Sequence, residues 1–112
     1  MTSTPTKLQV AKMIDKLPND ATLGEIFKQI RLMHGYNMPY LAKLINEQTG
    51  RKMTRQKVCD LESGREECTI DTILSFCKGY GFIAWLNVTA DGELYVSSIC
   101  GAKTDFKLSC SK

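Results

Sequence analysis

Signals that begin and end α-helices recur at short intervals along much of this 112-residue chain. Thr22 is followed three residues later by Glu25, the spacing of a capping box, and Gly35 supplies a left-handed stop. Asn37 is an N-cap for the next helix, with Pro39 in its first turn. Because each start is soon followed by a stop, no helix can be long, and the core must be built from several short ones.

Apolar residues recur at helical spacing between these signals. The pattern predicts four closely connected helices within residues 22–80, the third running from a cap at Thr54 to a stop at Gly64. An earlier short helix is predicted over residues 7–17, where Pro18 follows. The positions predicted to face inward are Leu23, Ile26, Phe27, Ile30, Met33, Leu41, Leu44, Ile45, Val58, Leu61, Ile70, Ile73, Leu74, Cys77 and Tyr80.

Later in the chain the pattern changes to two β-rich runs, FIAWLNVT and ELYVSSIC, around a turn at Asp91 and Gly92. These runs predict a β-hairpin. The first run carries apolar residues on both faces, with Leu86 on one and Trp85 on the other, so something must cover the second face. The last stretch either adds a short strand around Phe106–Leu108 or remains a frayed tail.

The chain has the length of one compact domain. Its elements predict a mainly α fold, a compact bundle of four to five helices followed by a C-terminal β-hairpin. Residues 1–21 are assigned to an N-terminal extension with a short helix, residues 22–81 to the helical domain, and residues 82–112 to the hairpin and tail.

Features that the sequence lacks disfavour several classes of protein. No apolar run reaches the roughly 18 residues of a membrane span, and the N-terminus lacks a signal-peptide pattern, so a cytoplasmic location is expected. The five cysteines lack CxxC spacing and are accompanied by one histidine, so neither a metal site nor a disulfide framework is expected. No catalytic constellation or phosphate-binding loop is evident, so we expect neither an enzyme nor a cofactor.

The segment TRQKVCDLESG, residues 54–64, is unusual for a helix because only Val58 and Leu61 face inward. The opposite side of the helical wheel consists of Gln56, Cys59, Asp60 and Ser63. Residues 51–65 carry five basic side chains against two acidic ones, a local excess that equals the +3 of the whole chain. Such a helix is either an ordinary solvated face or a surface that reads a ligand.

The spacing of these features resembles the helix-turn-helix family of Cro and lambdoid phage repressors. The resemblance spans about sixty of the 112 residues. It is carried by Arg31, Gly35, Leu41, Ala42, Thr54, Arg55, Gln56, Val58, the run Leu61–Gly64 and the run Thr69–Gly81. In this family the helix corresponding to residues 54–63 lies in the DNA major groove. The resemblance therefore implies a sequence-specific regulator of transcription that binds double-stranded DNA, most simply a repressor.

The resemblance assigns base contacts to four residues of this helix, and their chemistry suits the task. Arg55 offers two donors to guanine, and Gln56 can bond bidentately to adenine. Asp60 accepts only from a donor such as the amino group of cytosine, and Cys59 can touch a thymine methyl group. The alternative for each polar residue is an ordinary solvated position.

Phosphate contacts are implied at the N-terminus of the second motif helix and around the reading helix. The residues are Asn37 and Met38, through their backbone amides, and Arg51, Lys52, Thr54, Lys57 and Arg65. A single surface lysine or arginine is more often merely solvated, but clustering on one motif favours contact with DNA.

Two further features concern how the motif is held together. Arg31 and Glu62 are expected, from the resemblance, to form an ion pair between its first and third helices. The connection between its second and third helices departs from the family, because residues 47–53 suggest an insertion of about six residues beyond the usual short turn. Either the second helix is longer or the turn is an enlarged loop.

The hairpin is the candidate dimer surface. Two copies related by a two-fold axis would read half-sites about 34 Å apart, so a homodimer is expected. The residues assigned to the contact are Trp85, Leu86, Val88, Leu94 and Val96. Two alternatives remain: these residues only cover the helical core, or the hairpin binds another protein, as in an antitoxin that holds its toxin or in an adaptor.

Overall fold

The structure, a computed structural model, describes residues 5–18, 20–82 and 84–107, and it confirms the predicted mainly α fold with a C-terminal hairpin. The helices are α1 (Lys7–Lys16), α2 (Leu23–His34), α3 (Met38–Thr49), α4 (Arg55–Ser63) and α5 (Ile70–Tyr80). The strands are β1 (Ala84–Val88), β2 (Leu94–Ile99) and β3 (Ala102–Lys107), which form one antiparallel sheet in the order β1-β2-β3. Within the described ranges, no helix is long and apolar enough to cross a membrane.

Side-chain caps and left-handed glycines define the helix ends. Thr22 accepts a hydrogen bond from the Glu25 amide (3.2 Å), and Asn37 accepts one from the Tyr40 amide (2.8 Å). Thr54 caps α4 in the same way. The glycines that follow α2, α3, α4 and α5 have φ between 72° and 83°, the region in which glycine ends a helix at low cost. The predicted starts and stops are therefore those of the structure.

α1 begins at a capping box that the sequence analysis did not identify. The Thr6 hydroxyl accepts from the Gln9 amide (3.1 Å), and the Gln9 side chain accepts from the Thr6 amide (2.8 Å). Val10 and Ile14 are buried and belong to the same apolar core as the other helices and the sheet. The three segments distinguished in the sequence thus share one core.

The core has an aromatic centre and is otherwise mainly aliphatic. Phe27 and Phe76 stack with ring centroids 4.4 Å apart. The other fully buried apolar side chains include Ile26, Ile30, Leu41, Ile45, Val58, Leu61, Ile73, Val96 and Ile99. Leu74, predicted to face inward, is instead 46% exposed, because α5 turns Thr72 and Ser75 toward the core beside Phe76. The Ser75 hydroxyl tolerates burial because it donates to the Asp71 carbonyl (2.9 Å).

A third strand extends the predicted hairpin into a three-stranded meander. β3 begins at Ala102, earlier than the strand expected around Phe106, and Leu108 lies outside the described residues. β2 and β3 are joined at Cys100 and Gly101, whose φ values of 53° and 89° are those of a tight two-residue hairpin turn. Cysteine is an uncommon residue at positive φ, so the sequence carried little signal for this turn.

The strand register overturns one assignment to the dimer surface. Val96 lies in the middle strand, paired with Leu86 on β1 and Phe106 on β3, and its side chain is fully buried. The prediction that Val96 lies at a dimer contact is therefore wrong, because the residue belongs to the core of the single chain. Leu86 and Leu94 are half-buried against the same core.

α2 and α4 are in close backbone contact at Gly24. A Cβ at this position would lie 2.3 Å from the carbonyl oxygen of Leu61 and 2.9 Å from that of Glu62. Both atoms belong to the main chain of α4, so a larger residue forces the two helices apart. A glycine in the first turn of a helix gives no such warning in the sequence.

We expect Gly24→Ala to lower the free energy of unfolding by about 2 kcal/mol. Helix propensity alone predicts the opposite, a gain of about 0.5–1 kcal/mol, so the sign of the change separates the two effects. Urea titration followed by circular dichroism measures it. Lys28→Ala, an exposed change on the same helix, is the control and should stay within about 0.5 kcal/mol of the unmodified protein. A stabilised Gly24→Ala variant would contradict the close contact.

Burial raises the pKa of the Cys68 and Cys77 thiols to about 11, and the charge of Glu66 adds to the effect at Cys68. The fold thus favours the neutral thiols, and their contribution to stability is present below about pH 9 and lost as the pH rises through about 11. We expect both to react with iodoacetamide at pH 8 much more slowly in the native protein than in urea. Peptide mapping by mass spectrometry measures the rates, and equal rates in the two conditions would argue against burial.

Candidate nucleic-acid interface

α4 is fixed to the fold through a narrow inner face. Val58 and Leu61 are 0% and 1% exposed, and the helix packs against both α2 and α3. The outward side chains are Arg55, Gln56, Lys57 and Ser63, which are exposed, and Cys59 and Asp60, which are half-buried. The polar side of α4 therefore faces solvent in the single chain rather than the core.

Arg31 of α2 and Glu62 of α4 form the ion pair expected from the sequence. Arg31 Nε donates to Glu62 Oε2 (2.8 Å) and Nη2 donates to Oε1 (3.0 Å), a bidentate arrangement. Arg31 Nη1 also donates to the Tyr36 carbonyl (3.0 Å). The side chains are only 8% and 2% exposed. The hydrogen bond to Glu62 raises the pKa of Arg31, so the guanidinium remains charged.

Three of the four residues predicted to contact bases, Gln56, Cys59 and Asp60, are linked on the outer side of α4, directly or through Arg65. Gln56 Nε2 donates to Asp60 Oδ1 (3.0 Å), and Arg65 Nε lies 3.6 Å from the same oxygen. Arg65 also reaches Ser63 Oγ (3.2 Å) and Cys59 Sγ (3.6 Å). Arg65, predicted to contact phosphate, thus lies against α4 itself, and the Asp60 carboxylate accepts a hydrogen bond from Gln56 while it pairs with the charge of Arg65.

Arg55 and the cations around α4 differ in how firmly they are held. Arg55 and Lys52 form no ion pair with any residue in the described ranges. Arg51 Nη2 lies 3.2 Å from Asp71 Oδ1, and both side chains are about half exposed, so this pair contributes little. Lys57 Nζ lies 2.6 Å from Glu66 Oε2, and these side chains are also nearly half exposed, so this is a second surface ion pair.

The extra residues between the second and third motif helices lengthen the second helix, α3, rather than form an enlarged loop. α3 continues to Thr49, and residues 50–54 then lead directly to α4. Asn46 fixes this connection, since its side chain donates to the Met53 carbonyl (2.9 Å) and accepts from the Met53 amide. The role of Asn46 was not predicted from the sequence, because a single asparagine in a helix gives no hint of a partner seven residues away.

The start of α4 and the outer side of α3 border a shallow cavity of about 530 Å³. Arg55 and Thr54 line it from α4, and Lys43 and Asn46 line it from α3. Lys43 was not singled out in the sequence, although its position one turn after Pro39 places it on the same side of α3. The N-caps Asn37 and Thr54 leave amides of the first helical turn free for an acceptor.

The residues assigned to the dimer contact divide into two groups. Trp85 and Val88 on β1 are 66% and 69% exposed. Leu86 and Leu94 are half-buried against the core, and Val96 is fully buried. β1 is an edge strand of the sheet, so only Trp85 and Val88 are placed to meet another chain.

Neither a metal-binding cluster nor a similarity to known proteins indicates a function for this site. In residues 5–18, 20–82 and 84–107, no three His, Cys, Asp or Glu side chains group so as to hold a metal ion. Comparisons of the chain with protein families, curated proteins and solved structures found no match. The interpretation of α4 therefore rests on its own residues and on the resemblance described above.

We expect Glu62→Ala to lower the free energy of unfolding by about 3 kcal/mol, because it leaves the buried Arg31 charge without its partner. Arg51→Ala, which breaks the exposed pair with Asp71, is the matched control and should cost between about 0 and 1 kcal/mol. Thermal or urea unfolding measures both. Equal losses for the two variants would mean that the Arg31–Glu62 pair contributes no more than a surface contact.

Proposed function

We propose that the protein is a sequence-specific regulator of transcription, most simply a repressor, that binds double-stranded DNA as a homodimer. The observation that supports this most directly is the exposed polar side of α4, held from behind by Val58, Leu61 and the Glu62 ion pair. A helix fixed in this way can enter the major groove without losing its place in the fold. The surrounding basic residues supply attraction to phosphates.

In the proposed complex, Arg55 and Gln56 read base edges. Arg55 is exposed at the first position of α4 and has no competing ion pair within the described residues, so its guanidinium is available to guanine. Gln56 is oriented by its bond to Asp60, and Asp60 in turn is held by Arg65. This favours an orienting role for Asp60 over the direct contact to cytosine expected from the sequence.

The basic residues proposed to contact phosphates differ in the free energy needed to release each one from any present ion pair. Lys52 and Arg51 are exposed and either unpaired within the described ranges or weakly paired, so they can turn to a DNA strand. Lys57 is paired with Glu66 at 2.6 Å, and because the two side chains are 46% and 40% exposed, water can solvate the carboxylate when Lys57 turns away. Lys52, which breaks no ion pair within the described ranges, is therefore the strongest candidate, and Arg51 and Lys57 follow it.

We expect Arg55→Ala and Gln56→Ala each to weaken binding to the operator by about 1–3 kcal/mol, with a smaller effect on unrelated DNA. Lys52→Ala should weaken binding to both DNAs by the same factor. It should also reduce the slope of log affinity against log salt concentration by about 1, because one phosphate contact is lost. Gel-shift titration against duplex DNA from upstream of its own gene measures these effects.

Lys16→Ala is the control for loss of charge, because α1 packs against α2 and β3 rather than beside the reading helix. This variant should bind DNA like the unmodified protein. If Arg55→Ala and Gln56→Ala also bound the operator unchanged, α4 would not be the reading helix.

We expect the homodimer to form through β1, with Trp85 and Val88 against a second copy. Trp85 is the only tryptophan, so its emission should move to shorter wavelength as protein concentration rises and the indole leaves water. Trp85→Lys should leave the fold intact, shift sedimentation to a monomer and weaken operator binding. A protein that stays monomeric at all concentrations would favour the alternative in which Trp85 contacts a different protein, such as a toxin.

A further inference from the structure

α1 and the C-terminal end of α2 border an open groove that the proposed DNA contacts do not use. Its volume is about 600 Å³, within the range of ligand and peptide sites. The groove is lined by Pro5, Gln9, Lys12, Met13, Lys16, Leu17 and Met33. Apolar side chains thus form its floor, and we call it the α1–α2 groove.

The groove runs along one face of α1. Gln9, Lys12, Met13 and Lys16 stand at i, i+3, i+4 and i+7 spacing, so they form one face of α1. α1 has 10 residues, so this face extends for about 15 Å at 1.5 Å per residue. This length suits a partner helix of about three turns, which docks apolar residues at the same spacing.

Exposed leucines widen the apolar surface beyond the groove. Leu8 is 64% exposed and lies one turn before Lys12 on α1. Leu32 is 52% exposed and adjoins Met33 on α2. Met13 and Met33, with their flexible side chains, adapt readily to the surface of a partner. A partner that covers these side chains gains the free energy of removing their apolar surface from water.

The charge of the groove selects among possible occupants. Lys12 and Lys16 line it and are exposed, and no acidic side chain lines it among the described residues. A second copy of the chain would bring the same lysines together across a shared groove and is disfavoured by repulsion. An occupant with carboxylates beside its apolar stripe pairs with both lysines while covering the methionines.

We propose that the α1–α2 groove binds an acidic amphipathic helix of a partner protein. The apolar stripe of that helix packs on Met13, Leu17 and Met33, and its flanking carboxylates pair with Lys12 and Lys16. This surface is separate from α4 and from β1, so it is independent of the proposed DNA binding.

A charge-swap experiment tests the proposal with designed peptides and the full chain. One fluorescent peptide is a helix with a Leu and Met stripe flanked by Glu, and the second has the same stripe flanked by Lys. We expect the acidic peptide to bind about tenfold or more tightly than the basic one, and Lys12→Glu combined with Lys16→Glu to reverse this preference. Fluorescence anisotropy measures both. Lys78→Glu, on α5, is the control and should leave the preference unchanged.

Methionine methyl resonances show where the peptide binds. With ¹³C-methyl methionine, we expect the acidic peptide to shift the Met13 and Met33 signals and to leave those of Met38 and Met53 in place. The proposal is overturned if the acidic peptide does not bind, if the charge swap leaves the preference unchanged, or if the shifts fall on Met53. It is also overturned if duplex DNA without peptide shifts Met13 and Met33, which would assign the lysines to phosphate contact.

Discussion

The buried pair between Arg31 and Glu62 is the interaction on which the position of α4 depends. α4 has only nine residues and buries two apolar side chains, too few to fix its rotation against α2 by packing alone. The bidentate geometry of the pair specifies that rotation, because both carboxylate oxygens must meet one guanidinium. The close approach at Gly24 requires the two backbones to stay in contact, which keeps the donor and the acceptor within reach.

Because the buried side of α4 fixes the position of the helix, weak contacts are enough to order the side chains on its exposed side. The chain of bonds from Gln56 through Asp60 to Arg65 is exposed to solvent, so each bond contributes little to stability. Its effect is to limit the rotamers of Gln56 before any partner arrives. In the proposed DNA complex, Gln56 therefore loses less conformational entropy when its side chain contacts a base edge.

Most elements of the fold could be predicted from signals that act within a few residues. Most of the features that could not be predicted depend on contacts between distant parts of the chain. Caps and left-handed glycines act within a few residues, so the ends of α2, α3 and α4 were predictable. The contact of Gly24 with Leu61 and the burial of Val96 depend on residues far apart in the chain. Arg65 lies over α4 through contacts within six residues, but no helix-end signal marks that placement. Leu74 fits a helical stripe, but its exposure follows from how α5 rotates against its neighbours. In the site, the Arg31–Glu62 pair was expected from the resemblance, whereas the contacts among Gln56, Asp60 and Arg65 were not predicted.

The carboxylates near the basic residues decide which cations are available to a polyanion. Asp71 is 54% exposed, so when a phosphate draws Arg51 away, water solvates the released carboxylate at little cost. Glu66 is 40% exposed and Lys57 46%, so this pair also lies at the surface, and its closer contact of 2.6 Å makes Lys57 only somewhat harder to release than Arg51. Lys52, which has no ion pair to break within the described residues, is therefore the cation most readily available to a phosphate.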